Sequence, residues 1–153
     1  MRVTLDTNVL VSAFISKLGN PADILELALM LDEITLVLSE EILEEFREVM
    51  TREEVRSRFG YGMLEISAFQ EAIKGVAEIV AVDSDFKAVK EDPKDDQMVN
   101  TAFDGKADYI VSGDKHLLKL GKFKGIQIVS PATFRGIVTK KFRGPVVSRG
   151  GLE

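Results

Sequence analysis

Five short runs rich in Val, Ile and Leu recur along the chain, with helical stretches between them. They are RVTLD (2–6), EITLVL (33–38), EIVAV (78–82), DYIVS (108–112) and GIQIV (125–129). Such short apolar runs suit strands buried on both faces. Between them, Asn20 caps a helix with Pro21 at its first position and Leu25, Ala28 and Leu29 on its apolar stripe. Ser39 caps another, which carries Ile42, Leu43, Phe46, Val49 and Met50 at helical spacing. Further helices are expected over 61–76 after the turn Phe59-Gly60-Tyr61-Gly62, from Asp92-Pro93 through Met98, Val99, Ala102 and Phe103, and from Pro131 through Val138. Strands alternating with helices form right-handed βαβ units. The chain therefore predicts an α/β fold of three layers, α/β/α, around a central parallel sheet of about five strands. Its 153 residues are one domain's length. That domain is expected to occupy 1–139. Residues 140–153 are basic, rich in Gly and without periodicity, and are expected to form a mobile tail.

In such folds ligands bind at the carboxyl ends of the strands, so the acids there carry the most information. Asp6 ends the first run and Asp114 follows the fourth, which sets both on one rim. Glu45 and Asp95 lie on helices that run from or toward that rim. Four carboxylates around one cleft repel one another, and a divalent cation removes the conflict. The chain has no Cys and a single histidine, His116. Cysteine-bound zinc, a thiol nucleophile and a His-rich cluster are therefore excluded, and a metal held by oxygen ligands is expected to be Mg2+ or Mn2+. Each acid also has an ordinary structural reading. Asp6-Thr7-Asn8 is good capping chemistry, and Glu40, Glu41, Glu44 and Glu45 make a solvated helix face. Asp95 follows Asp92 at capping-box spacing, and Asp114 can cap KHLLKL. In that last segment Lys115 and His116 either face a substrate or belong to an exposed basic helix.

Charge is divided unevenly. Residues 1–114 hold 24 acids against 11 Lys and Arg, whereas 115–152 hold nine Lys and Arg and no acid. A basic end on an acidic protein fits a polyanion partner or a merely solvated terminus. No apolar run reaches the roughly 18 residues of a membrane span, and nothing at the N-terminus is laid out as a signal peptide, so no membrane association and a cytoplasmic location are expected.

The segments VTLDTNVLVSAF, LSEEILEEFREVM, EDPKDDQMVNTAFDGKADYIVSGDKHLLKL and GIQIVSPATF resemble, in this order, a PIN-domain protein of the kind found among prokaryotic toxin-antitoxin ribonucleases. The resemblance spans about residues 1–138. It implies a Mg2+- or Mn2+-dependent nuclease acting on single-stranded RNA, with Asp6, Glu45, Asp95 and Asp114 as catalytic acids. Of these, Asp6, Asp95 and Asp114 would be metal ligands, with Asn8 and Ser112 supporting them by hydrogen bonds. An antitoxin protein and a homodimer are further partners the family implies. Water activated at the ion would hydrolyse the phosphodiester. Glu44 adjoins Glu45 and Asp96 adjoins Asp95, and one residue turns a helical side chain by about 100°, so only one of each pair faces the cleft. Lys115, Lys140, Lys141 and Arg143 are candidates for the RNA backbone. An RNA-binding or scaffold PIN module without turnover is the alternative. An aspartyl phosphatase would carry an acid where Asn8 stands, and a receiver-like domain would pair its acids early. Replacing Lys140, Lys141 and Arg143 together is expected to weaken RNA binding and flatten its salt dependence by about 0.7 in log–log slope for each phosphate no longer neutralised. Unchanged affinity and slope in a filter-binding titration would remove the tail from the substrate surface.

Overall fold

The computed structural model describes residues 1–90 and 92–142. In chain order it consists of β1 (Arg2–Leu5), α1 (Thr7–Ile15), α2 (Asn20–Met30), β2 (Thr35–Leu38), α3 (Glu40–Met50), α4 (Glu53–Phe59), α5 (Met63–Val76), β3 (Glu78–Ile79), α6 (Asp95–Asp104), β4 (Tyr109–Val111), α7 (Lys115–Leu120), β5 (Lys122–Phe123), β6 (Ile126–Val129) and α8 (Pro131–Phe142). The strands form one sheet in the order β3-β2-β1-β4-β6-β5. Every pairing is parallel except that of β5 with β6. Successive strand residues point to opposite faces, and Val3, Thr4 and Leu5 are all essentially buried. Both faces of the sheet are therefore covered, as the run of apolar residues requires. No helix among the described residues is long and apolar enough to cross a membrane.

All five expected strands form, each shorter at its ends. The sixth, β5, is a two-residue strand that turns back through Lys124 and Gly125, both at positive φ (46° and 87°), as a tight hairpin demands. Ser39 caps α3 through a bond from the Ile42 amide at 3.3 Å. Gly19, not Asn20, is the N-cap of α2, and Asn20 is already helical. Helix α4 adds about two turns that the periodicity does not reveal. Helix α6 starts at Asp95 rather than at Asp92, whose carboxylate instead accepts from the Lys94 amide at 3.0 Å in the preceding turn. Helix α8 runs through Lys140 and Lys141 to Phe142, past the point where the sequence alone places the start of the tail. The rest of that expected tail, Arg143 included, lies outside the described residues.

The strand expected to reach Val82 stops at Ile79 because its partner β2 ends at Leu38, whose carbonyl accepts the last bond, from the Val80 amide at 2.9 Å. Asp96, Asn100 and Asp104 stand four residues apart on one helix face. Asp104 accepts from the Asp83 and Ser84 amides at 2.7 and 2.8 Å. Asn100 accepts from the Phe86 amide at 2.8 Å and donates to its carbonyl at 3.3 Å, and Asp96 accepts from the Val89 amide at 2.8 Å. Segment 83–89 is thus strapped along α6 by side chains instead of by a neighbouring strand. Close approach also fixes the end of α6. A Cβ on Gly105 would collide with Val37 Cγ1 and lie 3.1 Å from the Thr101 carbonyl, and Val37 is fully buried and stiff. Gly105→Ala is expected to cost about 2 kcal/mol by overpacking, lowering the melting temperature by about 4–8 °C in calorimetry. An unchanged melting temperature would show that β2 yields at that point.

Candidate metal centre

Leu5 of β1 pairs with Val111 of β4, so the next residues of each strand, Asp6 and Ser112, leave the sheet side by side. The Ser112 hydroxyl donates to Asp6 Oδ2 at 2.6 Å, and Asn8 Nδ2 reaches the same oxygen at 3.1 Å. The same hydroxyl accepts from the Asp114 amide at 2.8 Å, while the Gly113 amide donates to Asn8 Oδ1 at 3.2 Å. One serine therefore ties both acid-bearing turns together. Asp6 occupies the N-cap position of α1 yet makes no capping hydrogen bond, so capping does not account for it. Asp114 does cap α7, with Oδ1 accepting from the His116 and Leu117 amides at 2.8 and 3.2 Å.

On the neighbouring helices, geometry separates the adjacent acids. Glu45 is half-buried and its Oε1 accepts from Thr7 Oγ1 at 3.0 Å and Gln97 Nε2 at 3.4 Å, whereas Glu44 is exposed. Asp96 holds the strap, leaving Asp95 to meet Asp114. Thr7 and Gln97 are partners that sequence reasoning passes over, because nothing in their spacing marks them. Ligand atoms of Asp95, Asp114 and His116 lie within 4.8 Å of one another; Asp6 and Glu45 are not in this group. Asp6 is linked to it through Ser112 and by charge. Lys115 is exposed directly after Asp114. Lys140 and Lys141 are not brought to the acids, for they lie about 14 Å along the α8 axis from the end that starts at this rim.

The electrostatics reflect crowding. Burial, aided by the charges of Glu45 and Asp114 and opposed by the Ser112 hydroxyl, pushes Asp6 up to about 6. Burial, then the charge of Asp114 and a hydrogen bond shared with it, pushes Asp95 up to about 8. Burial also works against ionisation of Asp114, but the Leu117 and His116 amides and Asp95 outweigh it and hold Asp114 below the usual carboxylate range. Asp95 is 7% exposed, and its Oδ2 is buried with no hydrogen-bond partner. A buried, orphaned acceptor beside a second carboxylate is what a cation satisfies, so the donors present fit a divalent ion.

A mostly parallel α/β domain that gathers carboxylates beyond the carboxyl ends of its central strands is the class this geometry defines. Within it, the chain belongs to the PIN domain family, whose model matches residues 2–116. It is 31% identical over 120 residues to the uncharacterized protein MJ1680 of Methanocaldococcus jannaschii, covering 78% of this chain and 75% of that one. Its fold is similar to the crystal structure of PAE2754 from Pyrobaculum aerophilum, with TM-score 0.62 and 11% identity over 92% of this chain and 91% of that one. It also resembles VapBC2 from Rickettsia felis, solved bound to a DNA fragment from its promoter, with TM-score 0.55 and 14% identity over 85% and 98% of the two chains.

An acid whose pKa is higher in the fold than in the unfolded chain binds its proton more tightly when folded, so stability falls as pH rises between the two values. For Asp6 and Asp95 that interval runs from about 4 up to about 6 and about 8. Chelator-treated protein is expected to lose melting temperature steadily from pH 5 to pH 8, and Asp95→Asn to melt above the parent at pH 8. A flat profile in both proteins would mean that the acids do not strain the metal-free fold.

Proposed function

We propose that this protein is a divalent-metal-dependent endoribonuclease hydrolysing phosphodiester bonds of single-stranded RNA. The observation that carries this reading is the buried Asp95, with Oδ2 unpartnered and a carboxylate oxygen within 4.8 Å of one of Asp114 beyond the strand ends. Asp95 and Asp114 would hold Mg2+ or Mn2+, with Asp6 completing the set. When bound, the ion supplies an activated water and charge stabilisation at the scissile phosphate. Ser112 and Asn8 orient Asp6 by hydrogen bonds, and Ser112 also anchors the Asp114 turn. Glu45 has Oε1 held by Thr7 and Gln97, which leaves Oε2 free to accept a proton. It lines a cleft of about 320 Å³ with Glu41, Glu44, Glu48, Lys94 and Gln97. A phosphate enters so acidic a cleft only when a cation offsets the charge, which favours metal dependence.

Lys115, exposed directly after Asp114, would meet the phosphate nearest the acids; Lys140, Lys141 and Arg143 would act farther along the strand. With no Cys in the chain, water is a better-supplied nucleophile than a side chain. A toxin role with an antitoxin partner, as the name of VapBC2 suggests for that protein, together with homodimerisation and a cytoplasmic location, would accompany this reading.

The test is cleavage of a labelled single-stranded RNA in Mn2+, in Mg2+ and in chelator. Cleavage is expected only with metal, with Asp6→Asn and Asp114→Asn each losing more than about a hundredfold and Ser112→Ala about 10- to 100-fold. Equal cleavage in chelator, or full activity in Asp114→Asn, overturns the mechanism. RNA binding without turnover in either metal would leave a binding module instead.

A further inference from the structure

Oxygen-only ligation, the expectation from composition, does not describe the group of atoms that the fold assembles. The donor atoms within 4.8 Å of one another are two carboxylates and the imidazole of His116, the one histidine in the chain. Their relative placement is built in. Asp114 is the N-cap of α7 and His116 sits in its first turn, with the His116 amide bonded to Asp114 Oδ1 at 2.8 Å. That bond uses the backbone, so the imidazole is held beside the carboxylates without being spent on the cap. Among the described residues the imidazole makes no ion pair within 4.0 Å of any carboxylate. The imidazole is therefore committed to no ion pair while one of its nitrogens lies within 4.8 Å of an oxygen of each carboxylate, close enough for small side-chain rotations to bring all three onto one ion. Asp95, a member of the same group, is more than nine-tenths buried, and its Oδ2 has no hydrogen-bond partner. Asp6, by contrast, has Oδ2 occupied by Ser112 and Asn8 and stays outside the group.

We infer that His116 is a nitrogen ligand of the metal centre and makes it select a first-row transition ion over Mg2+. The inference rests on the metal-dependent reading above and adds to it the identity of the ion class. Mg2+ keeps oxygen ligands and dehydrates reluctantly, whereas imidazole favours the transition series. Replacing one carboxylate oxygen by a nitrogen therefore discriminates between ions that an all-acid site would treat more evenly.

The experiment uses the full chain with Mn2+ and Mg2+ as probes, read by calorimetric titration and by pulsed electron paramagnetic resonance of bound Mn2+. The parent is expected to show modulation from one directly bound 14N. His116→Gln, which keeps the backbone cap, should lose it, bind Mn2+ about 10- to 100-fold more weakly and change little toward Mg2+. Thermal melts of both proteins in chelator should coincide, which separates a missing ligand from a damaged fold. Bound Mn2+ without 14N modulation in the parent, or an unchanged Mn2+ to Mg2+ affinity ratio in His116→Gln, overturns the inference. RNA cleavage in Mg2+ alongside either result would leave the nuclease reading standing. Nitrogen ligation without cleavage of any RNA would do the reverse.

Discussion

The centre depends on the parallel register of two strands. Leu5 beside Val111 brings together turns that are more than 100 residues apart in sequence, and the Ser112 hydroxyl then joins Asp6 Oδ2 to the Asp114 amide. A slip of one residue would turn these side chains to the opposite face of the sheet and break both bonds. Register is protected because the residues that set it, Val3, Leu5, Ile110 and Val111, are almost fully buried on both faces. The core thus fixes the site's geometry by excluding the alternatives.

What the fold brings together is electrostatically unfavourable by itself. Asp95 and Asp114 share a hydrogen bond only if one of them keeps a proton, and burial selects Asp95 for that part. Asp114 remains ionised because the first turn of α7 donates two amides to it. This division raises the proton affinity of one acid and lowers that of its neighbour, and a cation bound between them would displace the proton. The strap along α6 bears on the same balance. By anchoring Asp96, Asn100 and Asp104 to segment 83–89, it leaves Asp95 as the acid on the other side of that helix end.

The alternating runs were enough to foresee the parallel sheet and the rim at which its acids would collect. Ser39 was legible as a cap for the same reason: local chemistry decides it. Where local chemistry admitted two answers, the outcomes diverged. Asp114 caps a helix as its position suggested, and joins the acids as well; Asp6 occupies a capping position and makes no capping bond. Glu44 and Glu45 differ only by rotation about α3, which no pattern of charges records. The short strand β5 and helix α4 escaped notice because two and seven residues are too few to display a period.

By itself, the sequence determined the class of fold, the end of the sheet where chemistry gathers and the small set of acids available there, because strand periodicity and residue type are local properties. Only the tertiary structure decided which acids meet, that Asp95 keeps an unpartnered oxygen, that Lys140 and Lys141 lie far from the rim and that His116 stands with the carboxylates. Those outcomes turn on strand register, helix rotation and the direction in which a helix leaves the sheet. Each is fixed by packing between segments distant in the chain.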